Sequence, residues 1–143
     1  MIGALLARRR VPAWFDAMSR HDLDALLKDY ADDATLVYPG DVNGVSGTFT
    51  GKATLRAWYQ RYFDQFPVIR NTLKNIAVSN IFDFMGNNVI AVHWETEVVN
   101  RDGLQVKNSG VSIVTARRGK AIHIRVYMSV TGDKFRAAWG VGP

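Results

Sequence analysis

Apolar and polar positions alternate along three long segments in the second half of the chain, residues 88–100, 104–117 and 120–131. The segments are rich in Val, Ile, Thr, Tyr and Trp, side chains that suit a pleated, half-buried surface. Only Arg101-Asp102-Gly103 and Arg118-Gly119 separate them, short turn chemistry that joins antiparallel neighbours. The pattern predicts a three-stranded meander, with residues 68–85 as a further long strand entering it through Gly86-Asn87-Asn88.

The first half reads with helical spacing. Val11, Trp14, Phe15 and Met18 follow the i, i+3, i+4, i+7 rule, with Pro12 acceptable in a first turn. Residues 1–10 are left as an N-terminal arm, ahead of a single domain over 11–143. Asp22 is the expected N-cap of a second helix carrying Leu23, Leu26, Leu27 and Tyr30. A short strand over 34–38 stops at Pro39-Gly40, and the Gly, Asp and Asn of 39–47 predict a mobile loop. After an extended piece at 48–49, Thr50 is the expected cap of a third helix. Its stripe of Leu55, Trp58, Tyr59, Tyr62, Phe63 and Phe66 is apolar and aromatic, and Pro67 closes it. Residues 134–139 predict a last turn of helix.

Composition narrows the chemistry. The 143 residues contain no cysteine, which removes disulfides, thiolate nucleophiles and cysteine-ligated metals. No apolar run approaches the roughly 18 residues of a membrane span. The apolar start precedes Arg8-Arg9-Arg10, the reverse of a secretory signal, so a cytoplasmic protein with no membrane partner is expected. The net charge of +5 raises the question of nucleic acid. Its cations fall in separate places, Arg8–Arg10 at the start and Arg117, Arg118 and Lys120 at one hairpin, so solvated charge is the expectation.

Candidate chemistry centres on residues 92–98, Val-His-Trp-Glu-Thr-Glu-Val, where His93, Glu95 and Glu97 share one strand face. Several ionisable groups facing inward are costly without partners, and a water-containing cavity would accommodate them. An inward imidazole beside a carboxylate would form an acid–base pair. The alternative turns Val92, Trp94 and Thr96 inward and leaves His93 and Glu95 to solvent or a second subunit; alternation alone does not choose. Tyr127 could donate a phenolic hydrogen bond. Tyr38, Trp58, Tyr62, Asn108 and Ser129 are candidate ligand contacts, with Asp41 at the rim. His93 and Glu95 supply two metal ligands and nothing marks a third, so no metal or other cofactor is expected.

The order of these elements, with Asp22-Leu23-Asp24-Ala25-Leu26 and Tyr30-Ala31-Asp32-Asp33-Ala34-Thr35, resembles the SnoaL-like, ketosteroid isomerase-like branch of the NTF2-like superfamily over about residues 11–133. The resemblance implies an α+β cone-shaped barrel, a strongly curved, mostly antiparallel sheet around the helices. It also implies an apolar pocket between them and homodimers through the outer sheet face. It carries the family's catalytic acids over poorly. Tyr38 stands where ketosteroid isomerases keep a proton-shuttling Asp, and residues 109–111 lack their second acid. Limonene epoxide hydrolases pair an inward Arg and Asp on the strand matching 93–97, where this chain has Glu95 and Glu97; their other Asp falls at Ser129. That alignment favours His93 and Glu95 inward. Three functions follow: an acid–base isomerase, dehydratase or cyclase acting on a small oxygenated, steroid- or polyketide-like molecule; a ligand-binding or accessory protein; or an interaction module.

Overall fold

A computed structural model describes residues 2–142. Four helices, α1 (Ile2–Ser19), α2 (Leu23–Leu27), α3 (Lys52–Gln65) and α4 (Gly132–Ala138), accompany six strands. These are β1 (Tyr30–Tyr38), β2 (Gly47–Thr50), β3 (Val68–Val78), β4 (Asn88–Val99), β5 (Gln105–Arg117) and β6 (Lys120–Met128). They form one curved sheet in the order β2-β1-β6-β5-β4-β3. All neighbours are antiparallel except β1 and β6. The sheet does not close: β2 and β3 are its edges, so the expected barrel is an open, curved wrap.

The expected meander forms, with β4 paired to β5 over its whole length and β5 to β6 beyond it. Even-numbered residues of β4, β5 and, from Ile124 on, β6 face the helices: Val92, Trp94, Ser112 and Ile124 are all buried. Gly110 lies in the same inward row. A Cβ there would overlap the carbonyl of Tyr127 and the Trp94 indole, so the missing side chain is what lets that ring lie flat on the sheet. The core runs from Leu26, Leu27 and Leu36 through Leu55, Trp58 and Tyr59 of α3 to Phe135 and Trp139 beside α4.

Four local expectations are corrected. α1 starts at Ile2 and passes through Pro12, so residues 2–10 are its first half and not an arm. An interior proline costs about 3 kcal/mol. Tertiary contact offsets it: Ala7 is buried, Gly3 packs against the backbone of Asn80 and Asp83, and Arg10 donates to the Gly119 carbonyl. Asp22 does cap α2, accepting from the Ala25 N–H at 3.0 Å, but that helix ends at Leu27 and Tyr30 already belongs to β1. Thr50 stays in β2, its hydroxyl paired with Thr35, and Gly51 (φ 97°) caps α3 in its place.

The fourth correction concerns residues 79–87, which leave the sheet after Val78. Buried Asn88 holds them: its carbonyl oxygen accepts from Ser79 Oγ and the Asn80 N–H, and its amide donates to the Asn80 carbonyl. A side chain that satisfies the backbone locally competes with strand pairing. The loop so formed leaves Phe82, Phe84 and Met85 exposed.

Candidate functional site

α1 and α3 cross the concave face of the sheet without filling it. An inner cavity of about 60 Å³ lies between Trp14 and Phe15 of α1, Tyr38 of β1, Trp58 and Tyr62 of α3, Asn71 of β3 and Met128 of β6. A second compartment of about 120 Å³ adjoins it beneath the first half of α1, sharing Trp14, Phe15, Ser112 and Ile124 as walls. Val11, Ile90, Val92 and Val114 make this outer compartment almost wholly apolar.

The polar groups around the inner cavity divide into two sets. One set is satisfied within the protein. Trp14 Nε1 donates to the Tyr30 hydroxyl at 3.1 Å, the Tyr30 and Tyr59 hydroxyls are 2.7 Å apart, and Trp94 Nε1 donates to Ser112 Oγ at 3.0 Å. Trp58 Nε1 donates to the Val45 carbonyl at 2.9 Å. The other set has no partner among the described residues. Asn71 presents a buried amide nitrogen with nothing to bond, and the half-buried Tyr38 and Tyr62 make no hydroxyl hydrogen bond to another described residue.

Burial sets the chemistry of these phenols. Burial raises the pKa of Tyr38 and Tyr62 well above the ordinary phenol value, and at Tyr38 charge on Tyr62 or Tyr59 would raise it further. Both therefore stay protonated and donate. Neither is a base at neutral pH. The inner cavity is lined by no carboxylate and no imidazole; Asp29 and Asp83 reach only the outer compartment. Among the described residues no group of three or more His, Asp or Glu could hold a metal ion.

The candidate residues of β4 and β6 lie elsewhere. His93 and Glu95 are exposed on the outer sheet face, opposite the helices, and Glu95 meets Lys74 at 3.5 Å. Tyr127 is 53% exposed on the same face, in the row His93–Val111–Tyr127. The inward reading of His93, Glu95 and Tyr127 is thus corrected. Val92 and Trp94 bury apolar area at no electrostatic cost, whereas inward charges would need partners that the concave side does not provide. Replacing His93 or Glu95 by Ala is expected to change unfolding free energy by less than about 0.5 kcal/mol, as for other exposed positions, in urea titration followed by tryptophan fluorescence.

The remaining candidates divide. Tyr38, Trp58 and Tyr62 come together at the inner cavity, with Tyr38 and Trp58 ring centroids 4.6 Å apart. Asn108 faces inward, but its oxygen is taken by the N–H groups of Ser109 and Val130, clipping the ends of β5 and β6. Ser129 is exposed and pairs with Ser109 and Asn108. Asp41 is ion-paired to Arg136. Asn71 was missed by sequence reasoning: a single Asn within a strand gives no periodic signal, and only its unpartnered nitrogen marks it.

The sequence profile of the SnoaL-like domain matches residues 11–124. The fold is similar to that of a proposed isomerase from Bacillus subtilis, with 18% identity, a TM-score of 0.76, and 98% of this chain and 96% of that one covered. It is similar to a Catenulispora acidiphila protein of ketosteroid isomerase-like fold in complex with trimethylamine (16% identity, TM-score 0.69, 92% of each chain). It is also similar to a Mycobacterium tuberculosis protein in complex with estradiol-17β-hemisuccinate (17%, 0.71, 87% of this chain and 98% of that). A comparison with curated proteins gives no match. Identities this low establish the fold alone. With the profile spanning most of the chain, this protein belongs to the SnoaL-like domain family.

Proposed function

We propose that the chain binds a small, largely apolar molecule carrying a hydrogen-bond-accepting oxygen, held in the inner cavity and extending into the outer one. The observation that carries this reading is the set of unpartnered donors, the Tyr38 and Tyr62 hydroxyls and the Asn71 amide, in an otherwise aromatic and aliphatic enclosure. The buried Asn71 nitrogen left unpaired costs about 1–3 kcal/mol, which an accepting oxygen would relieve, and the Tyr38 and Tyr62 hydroxyls can donate to the same oxygen. A cavity on the order of 150 Å³ takes one benzene ring, so the two compartments, about 60 and 120 Å³, together suit a molecule of one ring with a short arm. The steroid conjugate bound by the M. tuberculosis protein belongs to the same broad class of ligand.

Catalysis by proton transfer is the less favoured reading. Two phenols in a low-dielectric site would stabilise a developing oxyanion, yet no base lines the inner cavity to generate one. The outer sheet face, with Val111 and Ile113 half-buried and Val89 exposed, is the proposed contact for a second copy of the chain.

The test compares acetophenone, a one-ring ketone, with ethylbenzene, which lacks the oxygen, by quenching of the cavity tryptophans. The ketone is expected to bind about tenfold more tightly, one net hydrogen bond of roughly 1.4 kcal/mol. The preference should vanish when Tyr38→Phe, Tyr62→Phe and Asn71→Leu are combined and persist in His93→Ala. Equal affinity for both compounds in the unaltered protein would contradict the reading.

A further inference from the structure

The end of the molecule beneath the first half of α1 carries a surface that ligand binding in the interior does not use. There the 79–87 loop presents Phe82 and Phe84, 74% and 72% exposed, together with Ile81 and Met85. Leu5 of α1 is also exposed. These groups belong to one patch, because Gly3 of α1 packs against Asn80 and Asp83 of the loop. Gly86 packs in turn on Gly119 in the β5–β6 turn, and the Arg118 N–H donates to Asn87 Oδ1.

Cations surround the apolar tip. Arg8 and Arg9 are exposed on α1 one turn beyond Leu5, and Arg117, Arg118 and Lys120 are exposed at the turn. Arg10 fastens the two together through the Gly119 carbonyl at 2.9 Å. The carboxylates lining the adjacent compartment do not cancel this charge. Asp83 is buried and accepts from the Met85 N–H, and Asp29 is half-buried.

We propose that this end of the protein docks on an anionic lipid bilayer, with Phe82, Phe84, Met85 and Leu5 in the acyl–headgroup boundary and the arginines on lipid phosphates. Charge complementarity selects the occupant. Interfacial binding combines buried apolar area with electrostatic attraction to anionic lipid, and this patch has both in one place. Nucleic acid fits less well: Phe82 and Phe84 offer rings to bases, but Leu5, Ile81 and Met85 beside them are bare aliphatic surface that a polyanion leaves uncovered and an acyl boundary buries. Among the described residues no helix is long and apolar enough to cross a membrane, and the contact proposed is peripheral. The outer compartment begins at this same end, beneath Gly3, Leu6 and Arg10, so docking would set it against the lipid phase.

The test is co-sedimentation of the full chain with phosphatidylcholine vesicles, with and without about one-third phosphatidylglycerol. Binding is expected only with the anionic lipid and should weaken at high salt, as the Debye length shortens. Each cation near the surface contributes about fivefold, so Arg8→Gln with Arg9→Gln should lower partitioning about 25-fold. Phe82→Ser with Phe84→Ser should lower it at least tenfold. Thermal unfolding should be unchanged in both variants, and Lys134→Gln, on α4, should bind as the parent does. The proposal is overturned by failure to sediment with anionic vesicles at low salt, or by binding that the Phe82/Phe84 variant retains in full. It is equally overturned if that variant changes the oligomeric state and not vesicle binding, which would make the patch a contact between copies of the chain.

Discussion

Replacing Trp58 by Ala is expected to lower the unfolding free energy by about 5 kcal/mol, the largest single effect among the cavity residues. Removing a buried Trp side chain typically costs about 3–5 kcal/mol in lost transfer energy and residual cavity. Here the ring is 6% exposed and touches Tyr38, Tyr59, Tyr62 and Trp139, with centroid separations of 4.6, 5.1, 5.7 and 6.3 Å. Its Nε1 also satisfies the Val45 carbonyl, and stranding that acceptor adds about 1–3 kcal/mol unless water reaches it. Domains of this size are stable by about 5–15 kcal/mol, so the variant should be marginal at room temperature. Urea denaturation measures it. A loss below about 2 kcal/mol would mean that the aromatic wall around the cavity is not the keystone of the fold.

The second large effect is alkaline. Burial raises the pKa of Tyr30, Tyr38, Tyr59 and Tyr62 above the ordinary phenol value, and the Tyr30–Tyr59 contact adds to the rise at Tyr30. For a group whose folded pKa is raised, the stabilisation is complete below the unfolded value, about 10, and is lost as pH climbs toward the folded one. Stability should therefore be insensitive to these phenols up to about pH 9 and fall steeply above 10. Tyr38 and Tyr62 keep some exposed surface, so the firm share is that of Tyr30 and Tyr59, each 2% exposed. Those two alone give a slope of about 3 kcal/mol per pH unit. Tyrosinate absorbance should rise in one cooperative step that coincides with unfolding. Four phenols ionising gradually in a protein that remains folded would contradict the burial described above.

Much of this architecture was legible in the sequence, for physical reasons that differ by element. α3 announced itself because its aromatic stripe repeats with helical spacing and buries against one wall. The β4–β5–β6 meander did so because Asp-Gly and Arg-Gly sit between β-branched runs. Strand facing was the failure, and the residues themselves held the answer. In β4 the even positions carry Val92, Trp94 and Val98 and the odd ones His93, Glu95 and Glu97; burying the former costs nothing and burying the latter needs partners. The analogy with hydrolases that aim a charged pair inward pulled against that simpler balance. Residues 79–87 were misread because Phe82, Phe84 and Met85 have strand-like preferences, while what decides their path is Asn88, a neighbour that bonds their backbone. The start of α1 was missed because Pro12 looks like a helix beginning and the contacts of Gly3 and Arg10 are far away in sequence.

The interior site was half legible. Tyr38, Trp58 and Tyr62 are large amphipathic rings whose polar tips need somewhere to go, and that requirement marks them in advance. What sequence does not convey is which tips find partners within the chain. Tyr30 and Tyr59 satisfy each other, Tyr38 and Tyr62 do not, and only three-dimensional proximity separates the pairs.

The most direct measurement is a crystal structure of the protein soaked with acetophenone. The ring is expected between Trp58 and the sheet, its ketone oxygen within hydrogen-bond distance of the Tyr38 or Tyr62 hydroxyl or the Asn71 amide. A ligand seated on the outer sheet face beside His93, with the interior empty, would contradict it.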